Sequence, residues 1–201
     1  MDAFHVKAHI FMIQIRIHGR GGQGVVTAAE LLSLAAFRDG KAAQAFPSFG
    51  SERTGAPVIA YCRIASHPIR SREPVLHPDV LLIQDSTLLH QVDVFAGLSS
   101  PAIVIINSTR DIEALHLLDI VTQHPGVKMY TLPASDLAIK HLGRPFANIG
   151  MVAAFAALTG EITKPSVDQA IKDKFPGGMG GLNVAVAAEV YEYVAANMVK
   201  V

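Results

Sequence analysis

The sequence has few residues that would support redox or metal chemistry. Among its 201 residues is a single cysteine, Cys62. One thiol excludes a disulfide framework and cannot supply the four thiolates that an iron–sulfur cluster usually needs. The nine histidines fall in no ligand spacing such as His-Glu-x-x-His. We therefore expect no metal site here, and any clusters used with this protein must lie in another chain.

The charges and the apolar runs argue against two classes of partner. Lys plus Arg number 17 and Asp plus Glu number 17, a balance that argues against nucleic acid or an anionic membrane as the main partner. No apolar run approaches the ~20 residues of a membrane span. Residues 1–11, which we treat as an N-terminal extension, lack the features of a secretory signal. We expect a cytoplasmic protein.

Secondary-structure patterns repeat along most of the chain. Short alternating or β-branched runs indicate six strands, beginning at Met12, Lys41, Val58, Asp79, Ala102 and Val127. Stretches with helical periodicity begin at Gln23, Ser86, Asp111 and Ser135. Because strands alternate with helices, we predict an α/β fold. It is a single Rossmann-like domain, residues 12–201, with a mostly parallel sheet flanked by helices.

The chain becomes helical after Pro145. Three helical stretches follow with no strand between them, which predicts a helical C-terminal quarter. Asn148 and Gly160 stand where caps of the first of these helices are expected. That helix is apolar nearly all round, so we expect it to be buried on several sides. Residues 176–181, "PGGMGG", are predicted to form a connecting or close-approach loop.

A glycine-rich loop lies between the first predicted strand and the first predicted helix. Its candidate binding residues are Gly19, Arg20, Gly21, Gly22, Gln23 and Gly24. Three of the glycines fit Gly-x-Gly-x-x-Gly in the strand–turn–helix context that gives this pattern its meaning. Free N–H groups at the start of a helix attract an anion, and Arg20 would add a guanidinium.

A dinucleotide site needs more than these glycines. It also needs an acidic residue at the carboxyl end of the second strand to hold the ribose hydroxyls. Phe46 and Pro47 occupy that place, and Asp39 lies at the other end of the strand, which argues against NAD. Two interpretations stay open. Either the glycines let the segments pack tightly, against another subunit included, or the loop binds a phosphate-bearing ligand such as coenzyme A.

A second polar loop, "FPSFGSERTGAPV", lies between the second and third predicted strands. Its candidate interface residues are Gly50, Ser51, Glu52, Arg53 and Gly55. Since the loop follows a strand, we expect it at the strand ends, where open α/β sheets place their sites. Glu52 and Arg53 are suited to pair across an interface or to clamp a carboxylate. A solvated turn is the alternative.

No set of residues forms a recognisable catalytic centre. Ser48 and Ser51 lack the Gly-x-Ser-x-Gly elbow of hydrolases, and Cys62 lies in an apolar pattern typical of a buried thiol. Asp85 and Ser86 end a predicted strand, a position suited to ligand contact, but Ser86 is rather expected to cap the next helix. We therefore predict no catalytic residue in this chain.

Two stretches together resemble one family. "GRGGQGVVTAAELL" from Gly19 and "AFPSFGSERTGAPV" from Ala45 closely resemble the gamma subunit of the 2-oxoacid:ferredoxin oxidoreductases, the pyruvate:ferredoxin oxidoreductase family. Weaker matches, "RPFANIGMVAAFAALTG" and "GLNVAVAAEVYEYV", look like later helices of that family. The resemblance covers nearly all of the chain after Met12.

The resemblance implies a subunit of an enzyme that oxidatively decarboxylates a 2-oxoacid with coenzyme A, giving an acyl-CoA, carbon dioxide and reduced ferredoxin. In that family the alpha and beta chains hold thiamine diphosphate with magnesium, and beta and delta chains hold the iron–sulfur clusters. The gamma chain holds neither. The implied partners are therefore alpha, beta and delta subunits, with ferredoxin as the acceptor.

The implied role of the gamma chain is assembly, or shaping of the coenzyme A site, with no activity in isolation. No residue selects a particular 2-oxoacid. The alternative from another class is a free-standing Rossmann-like nucleotide-binding protein or an NAD-dependent reductase.

Overall fold

A six-stranded sheet forms the centre of the computed structural model, which describes residues 12–48 and 54–198. The strands are β1 Met12–Arg20, β2 Ala42–Pro47, β3 Pro57–Ala65, β4 Val80–Ile83, β5 Ala102–Asn107 and β6 Val127–Leu132. The α-helices are α1 Val25–Arg38, α2 Leu118–Gln123, α3 Ala134–Leu142, α4 Asn148–Thr159, α5 Lys164–Lys174 and α6 Gly178–Asn197. A short 3₁₀ helix, Ser86–His90, follows β4. Within the described ranges, no helix has both the length and the apolar composition needed to cross a membrane.

The strands lie in the order β2-β3-β1-β4-β5-β6. β1, β4, β5 and β6 run parallel, whereas β3 runs antiparallel to both of its neighbours, β1 and β2. All six predicted strands are confirmed, together with the mostly parallel α/β sheet and the helical C-terminal quarter. The carboxyl ends of the parallel strands therefore share one edge of the sheet with the amino end of β3.

Hydrophobic clusters cover both faces of the sheet. On β4, Val80 and Leu82 pack with helices α1 and α4, while Leu81 and Ile83 face a smaller cluster on the other side. Successive side chains of a strand alternate between faces, so β4 is apolar on both, as expected for a central parallel strand. Because both faces are covered, the polar groups available for binding lie at the strand ends.

Helix α4 is the most deeply buried helix segment near that edge. Its residues from Asn148 to Ala156 are all buried, which confirms the burial predicted from its composition. A Cβ on Gly150 would lie only 2.9 Å from the Cβ of Ala134, at the start of α3. This close approach fixes the position of the first turn of α4.

Only one of the two predicted caps of α4 is confirmed. Gly160 has a left-handed backbone, with φ 66°, and ends the helix as predicted. The prediction for Asn148 was wrong, because Ala147 occupies the N-cap and no side chain caps the helix there. Asn148 is the first helical residue, and its amide lies beside the glycine loop instead.

The helix predicted from Asp111 is wrong. The described chain forms turns there, and α2 begins only at Leu118. Asp111 Oδ1 accepts a hydrogen bond from the Ala114 N–H at 2.8 Å, a side-chain turn that competes with helix formation. His116 then adopts a φ of 59°, a left-handed conformation that an α-helix cannot include.

The loop predicted at residues 176–181 is much shorter than expected. Gly177, with φ 72°, precedes α6, and the helix already includes Gly178. The close approach occurs inside that helix, since a Cβ on Gly180 would lie 2.5 Å from the carbonyl oxygen of Phe175. The glycines therefore allow α6 to start immediately against the end of α5.

Candidate functional site

The glycine loop lies against the described end of the second motif, residues 54–58, at the carboxyl edge of the sheet. Beyond the last paired residues of β1 and β3, the Gly21 N–H donates to the Ala56 carbonyl at 2.9 Å, and the Gly55 N–H donates to the Gly21 carbonyl at 3.0 Å. Gly21 and Thr54 form a β-bridge. The second loop thus begins its return strand beside the glycine loop. Four of the predicted interface residues lie outside the described residues: Gly50, Ser51, Glu52 and Arg53.

The guanidinium of Arg20 joins three segments of the chain. Its Nε donates to Asp85 Oδ2 at 3.0 Å, and its Nη1 donates to the Gly55 carbonyl at 3.1 Å. Its Nη2 donates to Thr87 Oγ1 at 2.6 Å and to Gln91 Oε1 at 2.9 Å. The sequence suggested that Arg20 would face an anionic ligand. The structure directs it instead to the Asp85 carboxylate and to three neutral acceptors of the same chain, and these four bonds use most of its N–H donors.

Asp85 is the acceptor around which this network forms. Its Oδ2 also accepts from Gln23 Nε2 at 2.8 Å, and its Oδ1 accepts from the Thr87 N–H at 3.0 Å. Burial raises the pKa of Asp85, but hydrogen bonds from Thr87 and Gln23 and the charge of Arg20 outweigh that effect, so the pKa lies below its ordinary value. Asp85, and not Ser86 as predicted, caps the 3₁₀ helix.

The glycines of the first loop are required by backbone conformation and by close contacts. Gly22 and Gly24 have φ values of 94° and 72°, where an L side chain is strained. A Cβ on Gly24 would lie 2.5 Å from Nδ2 of Asn148, and one on Gly19 would lie 2.5 Å from Cγ2 of Val25. Tight packing, one of the two interpretations left open by the sequence, therefore explains why glycine is needed at these positions.

The start of α1 carries no capping group in the described chain. Gly24 is the N-cap and makes no side-chain hydrogen bond, and the first turn contains no acidic residue. The first N–H groups of a helix lack intrahelical partners and carry a partial positive charge. These features leave the helix start suited to a negatively charged group.

A groove of about 580 Å³ runs from the glycine loop toward α6. Its polar wall includes Asn148 and the exposed Arg144, whose guanidinium makes no hydrogen bond or ion pair within the described ranges. Asn148 is only 7% exposed, and its Oδ1 lacks a hydrogen-bond partner among the described residues. The rest of the wall comprises Gly22, Gly24, Thr27, Leu142, Phe146, Phe175, Met179 and Asn183. The groove combines one free cation with an apolar surface.

The sheet order adds a second argument against a dinucleotide. In dinucleotide-binding folds the first two strands are parallel neighbours, but here the antiparallel β3 separates β1 from β2. Asp39 also serves another purpose. Its Oδ2 accepts from the Thr163 N–H at 2.6 Å, and its Oδ1 accepts from Ser166 Oγ at 2.5 Å. It therefore holds the start of α5, far from a ribose site at the strand ends.

Cys62 and the histidines do not contribute to the candidate site. Cys62 is fully buried, and burial raises the pKa of its thiol. His18 is 3% exposed, and burial, with Arg16 beside it, lowers the pKa of His18 to about 3. No group of three or more potential metal ligands is present in residues 12–48 and 54–198.

Sequence patterns did not identify three residues of this site. Asp85 was considered as a ligand contact but not as the partner of Arg20, because no spacing relates positions 65 residues apart. Arg144 and Asn148 lie within the weaker family match, and Asn148 was expected only as a helix cap. Folding brings both beside Gly24.

Comparisons with known proteins agree on one family. The model of the pyruvate ferredoxin/flavodoxin oxidoreductase family matches residues 14–193. The PorC subunit of pyruvate synthase from Methanothermobacter thermautotrophicus is 45% identical over 183 residues, which cover 91% of this chain and 96% of that protein. The common gamma subunit of the pyruvate/ketoisovalerate oxidoreductases from Thermococcus kodakarensis is 45% identical over 180 residues, 90% of this chain and 96% of that protein.

A solved structure agrees with the sequence relatives. The crystal structure of the pyruvate oxidoreductase subunit PORC from Thermotoga maritima superimposes with a TM-score of 0.76 at 32% identity. The match covers 90% of this chain and 96% of that one. The similarity therefore extends over the sheet, the candidate site and the C-terminal helices together.

Replacement of Gly24 by alanine tests the contact with α4. Gly24 and Gly160 both have positive φ, so Gly24→Ala and Gly160→Ala each carry a conformational cost of about 1–2 kcal/mol. Nothing lies within 4 Å of a Cβ on Gly160, whereas Gly24→Ala also meets Asn148, which adds about 1–3 kcal/mol. Urea unfolding should show the larger loss for Gly24→Ala. Equal losses would contradict the close approach.

The ion pair of Asp85 predicts a pH-dependent stability. Asp85→Asn should reduce the free energy of unfolding near pH 7 by about 1.5–3 kcal/mol. Because the pKa of folded Asp85 lies below its ordinary value, its contribution is complete above the unfolded pKa of about 3.9 and is lost as the pH falls through the folded pKa. The difference in the free energy of unfolding between the wild type and Asp85→Asn should therefore decrease below about pH 4.

The control for this experiment is Glu192→Gln, which removes an exposed carboxylate on α6. Its effect on unfolding at pH 7 should stay within about 0.5 kcal/mol. If the difference in the free energy of unfolding between the wild type and Asp85→Asn is as large at pH 2 as at pH 7, the charge of Asp85 does not stabilise the fold.

Proposed function

The chain belongs to the pyruvate ferredoxin/flavodoxin oxidoreductase family as a gamma subunit, and we propose that it serves a complex that converts a 2-oxoacid and coenzyme A to an acyl-CoA, carbon dioxide and reduced ferredoxin. Its proposed partners are the alpha, beta and delta chains of that complex, which hold thiamine diphosphate, magnesium and iron–sulfur clusters. Ferredoxin is the proposed electron acceptor. Pyruvate is named in both relatives, and ketoisovalerate in one, so the 2-oxoacid itself is left open.

The proposed contribution of this chain is binding and assembly without a catalytic step. Its one thiol, Cys62, is buried within the sheet, so it is unsuited to ligate a cluster or to attack a substrate. The polar side chains at the carboxyl edge, led by Arg20 and Asp85, bind one another. They are suited to hold loops in place, whereas proton transfer and acyl transfer would be carried by the partner chains.

The groove beside the glycine loop is the observation that supports a coenzyme A role. Coenzyme A combines phosphate groups with a long, largely apolar arm. The uncapped start of α1 and the free guanidinium of Arg144 lie along the same groove and would hold phosphate oxygens. The exposed side chains of Phe146 and Met179 offer an apolar wall for the arm.

Arg144 replaces Arg20 as the proposed phosphate ligand. The Arg20 guanidinium donates to Asp85, Gly55 and Thr87, and turning it to a ligand would leave the buried side of Asp85 without its cation. Arg144 has no such partner in the described part of the chain. The bound coenzyme would supply the thiol that accepts the acyl group, and Asn148 would offer its unpaired oxygen to a donor of the coenzyme.

The alternative of a free-standing NAD-dependent reductase has less support. Its acidic residue is absent from the end of β2, and β3 lies where the second parallel strand should be. A pure scaffold is the stronger competitor, because the same uncapped N–H groups and glycines would also suit contact with a partner's side chains.

Purification from the native source tests membership of a working complex. The chain should elute together with thiamine- and cluster-binding subunits, and the assembly should reduce ferredoxin when given a 2-oxoacid and coenzyme A. Recovery of the chain alone would contradict the proposal. Detectable NAD binding by the isolated chain would instead revive the reductase alternative.

Titration calorimetry of coenzyme A with that purified complex tests the role of Arg144. Loss of a charge-assisted contact costs about 1.5–3 kcal/mol, so Arg144→Ala should weaken binding by at least about tenfold. Arg72→Ala, which removes an exposed arginine outside the groove, is the control and should leave the affinity unchanged. The coenzyme A role is contradicted if all three variants, Arg144→Ala, Arg20→Ala and Arg53→Ala, bind coenzyme A as tightly as the wild type. The glycine loop would then be a protein-binding surface only.

A further inference from the structure

The motif "PGGMGG", residues 176–181, has a feature that the proposed function does not use. It places Met179 in the first turn of α6 with its side chain 51% exposed. Among the methionines that the structure describes, no other is exposed. The rest are buried or partly buried: Met12, Met129, Met151 and Met198. Methionine usually fills gaps in hydrophobic cores, so an exposed one in this position calls for a physical reason.

The glycines around Met179 leave its thioether open to solvent. The two residues on either side of it are all glycine, and they carry no side chain that could cover the sulfur. Nothing lies within 4 Å of a Cβ built on Gly178 or on Gly181. The backbone itself is held in place, since Nδ2 of the buried Asn183 donates to the Met179 carbonyl at 2.8 Å. A fixed backbone therefore presents an uncovered side chain.

Met179 also lies in the wall of the groove proposed for coenzyme A. It shares this wall with the apolar side chains of Leu142, Phe146 and Phe175 and with Arg144. The arm of the coenzyme would therefore run past an accessible thioether. A change in the polarity of this one side chain alters the apolar part of the groove and leaves the cation of Arg144 intact.

A hydroperoxide converts such a thioether to a sulfoxide. With hydrogen peroxide, the sulfur attacks one peroxide oxygen, the O–O bond breaks and an S–O bond forms. The transferred oxygen gives its proton to the departing hydroxide, which leaves as water. The sulfur loses two electrons and the peroxide gains them. The product is a polar, chiral side chain that disrupts apolar surfaces.

The single thiol of the chain does not compete for this oxidant. Cys62 is fully buried, and burial raises the pKa of its thiol, so almost no thiolate is available to react. Susceptibility to oxidation follows exposure. Met179 is therefore the sulfur of the described chain that a peroxide should reach first.

We propose that Met179 is an oxidation-sensitive site, at which conversion of the thioether to the sulfoxide by a hydroperoxide weakens the binding of coenzyme A. This role depends on the proposed binding of coenzyme A in the groove. The sulfoxide oxygen needs hydrogen-bond donors, which an apolar arm does not offer, and covering it without them is unfavourable. Methionine sulfoxide reductases convert the product back to methionine, so the change is reversible.

Mass spectrometry of the chain after treatment with hydrogen peroxide tests the reactivity of the site. Met179 should gain one oxygen atom faster than every other described methionine, both in the full chain alone and in the purified complex. The proposal fails if Met179 is oxidised no faster than the buried Met151 in either preparation, because the thioether is then covered.

Calorimetry of coenzyme A with the purified complex, before and after peroxide, tests the consequence for binding. Oxidation of the wild type should weaken binding by at least about fivefold, and methionine sulfoxide reductases should restore it. In Met179→Leu, which keeps an apolar side chain of similar size without sulfur, peroxide should not change that variant's own affinity. Met198→Leu, at the other end of α6, is the matched control and should respond to peroxide as the wild type does.

The results distinguish failure of this site from failure of the proposed function. If the untreated wild-type complex does not bind coenzyme A, the proposed function of the groove is wrong, whereas the oxidation rates are measured independently of it. If the complex binds coenzyme A equally well with Met179 oxidised, the oxidation-sensitive site is wrong. It is also wrong if Met179→Leu loses as much affinity after peroxide as the wild type, because the damage then lies elsewhere in the complex.

Discussion

The ion pair between Arg20 and Asp85 is the interaction on which the carboxyl edge of this protein depends. It joins the end of β1 to the segment after β4, and the same guanidinium reaches Gly55 in the second motif. Side-chain exposures of 21% and 15% leave the pair partly shielded from water, so its attraction is screened less than that of a surface pair. Gln23 donates to the same carboxylate, so two residues of the glycine loop are bonded to the segment after β4.

Packing against helix α4 also holds the glycine loop in place. Helix α4 is buried from its first residue, and Asn148 reaches the Cα of Gly24 so closely that no side chain fits between them. The loop therefore lies between the Arg20–Asp85 network at the sheet edge and the buried first turns of α4. Binding groups are held most accurately when rigid elements support them, and here both supports come from the hydrophobic core and its immediate edge.

The antiparallel strand β3 distinguishes this sheet from that of a dinucleotide-binding fold. It occupies the place beside β1 where a dinucleotide-binding fold has its second parallel strand, and it brings the second family motif next to the first. The cationic groove lies on one side of the glycine loop.

The sequence by itself determined the sheet, most helices and the family. Period-two and period-3.6 patterns depend on neighbouring residues, so all six strands and the helical C-terminal quarter were predictable, and the glycine motifs carried the family resemblance. Only the tertiary structure decided which cation is free. Arg20 and Arg144 are alike as residues, but folding brings Asp85 to one of them across 65 positions. The same long-range packing placed Asn148 against Gly24 and left the side-chain amide of Gln84 without a hydrogen-bond partner among the described residues. These relations arise from contacts between segments that no local pattern describes.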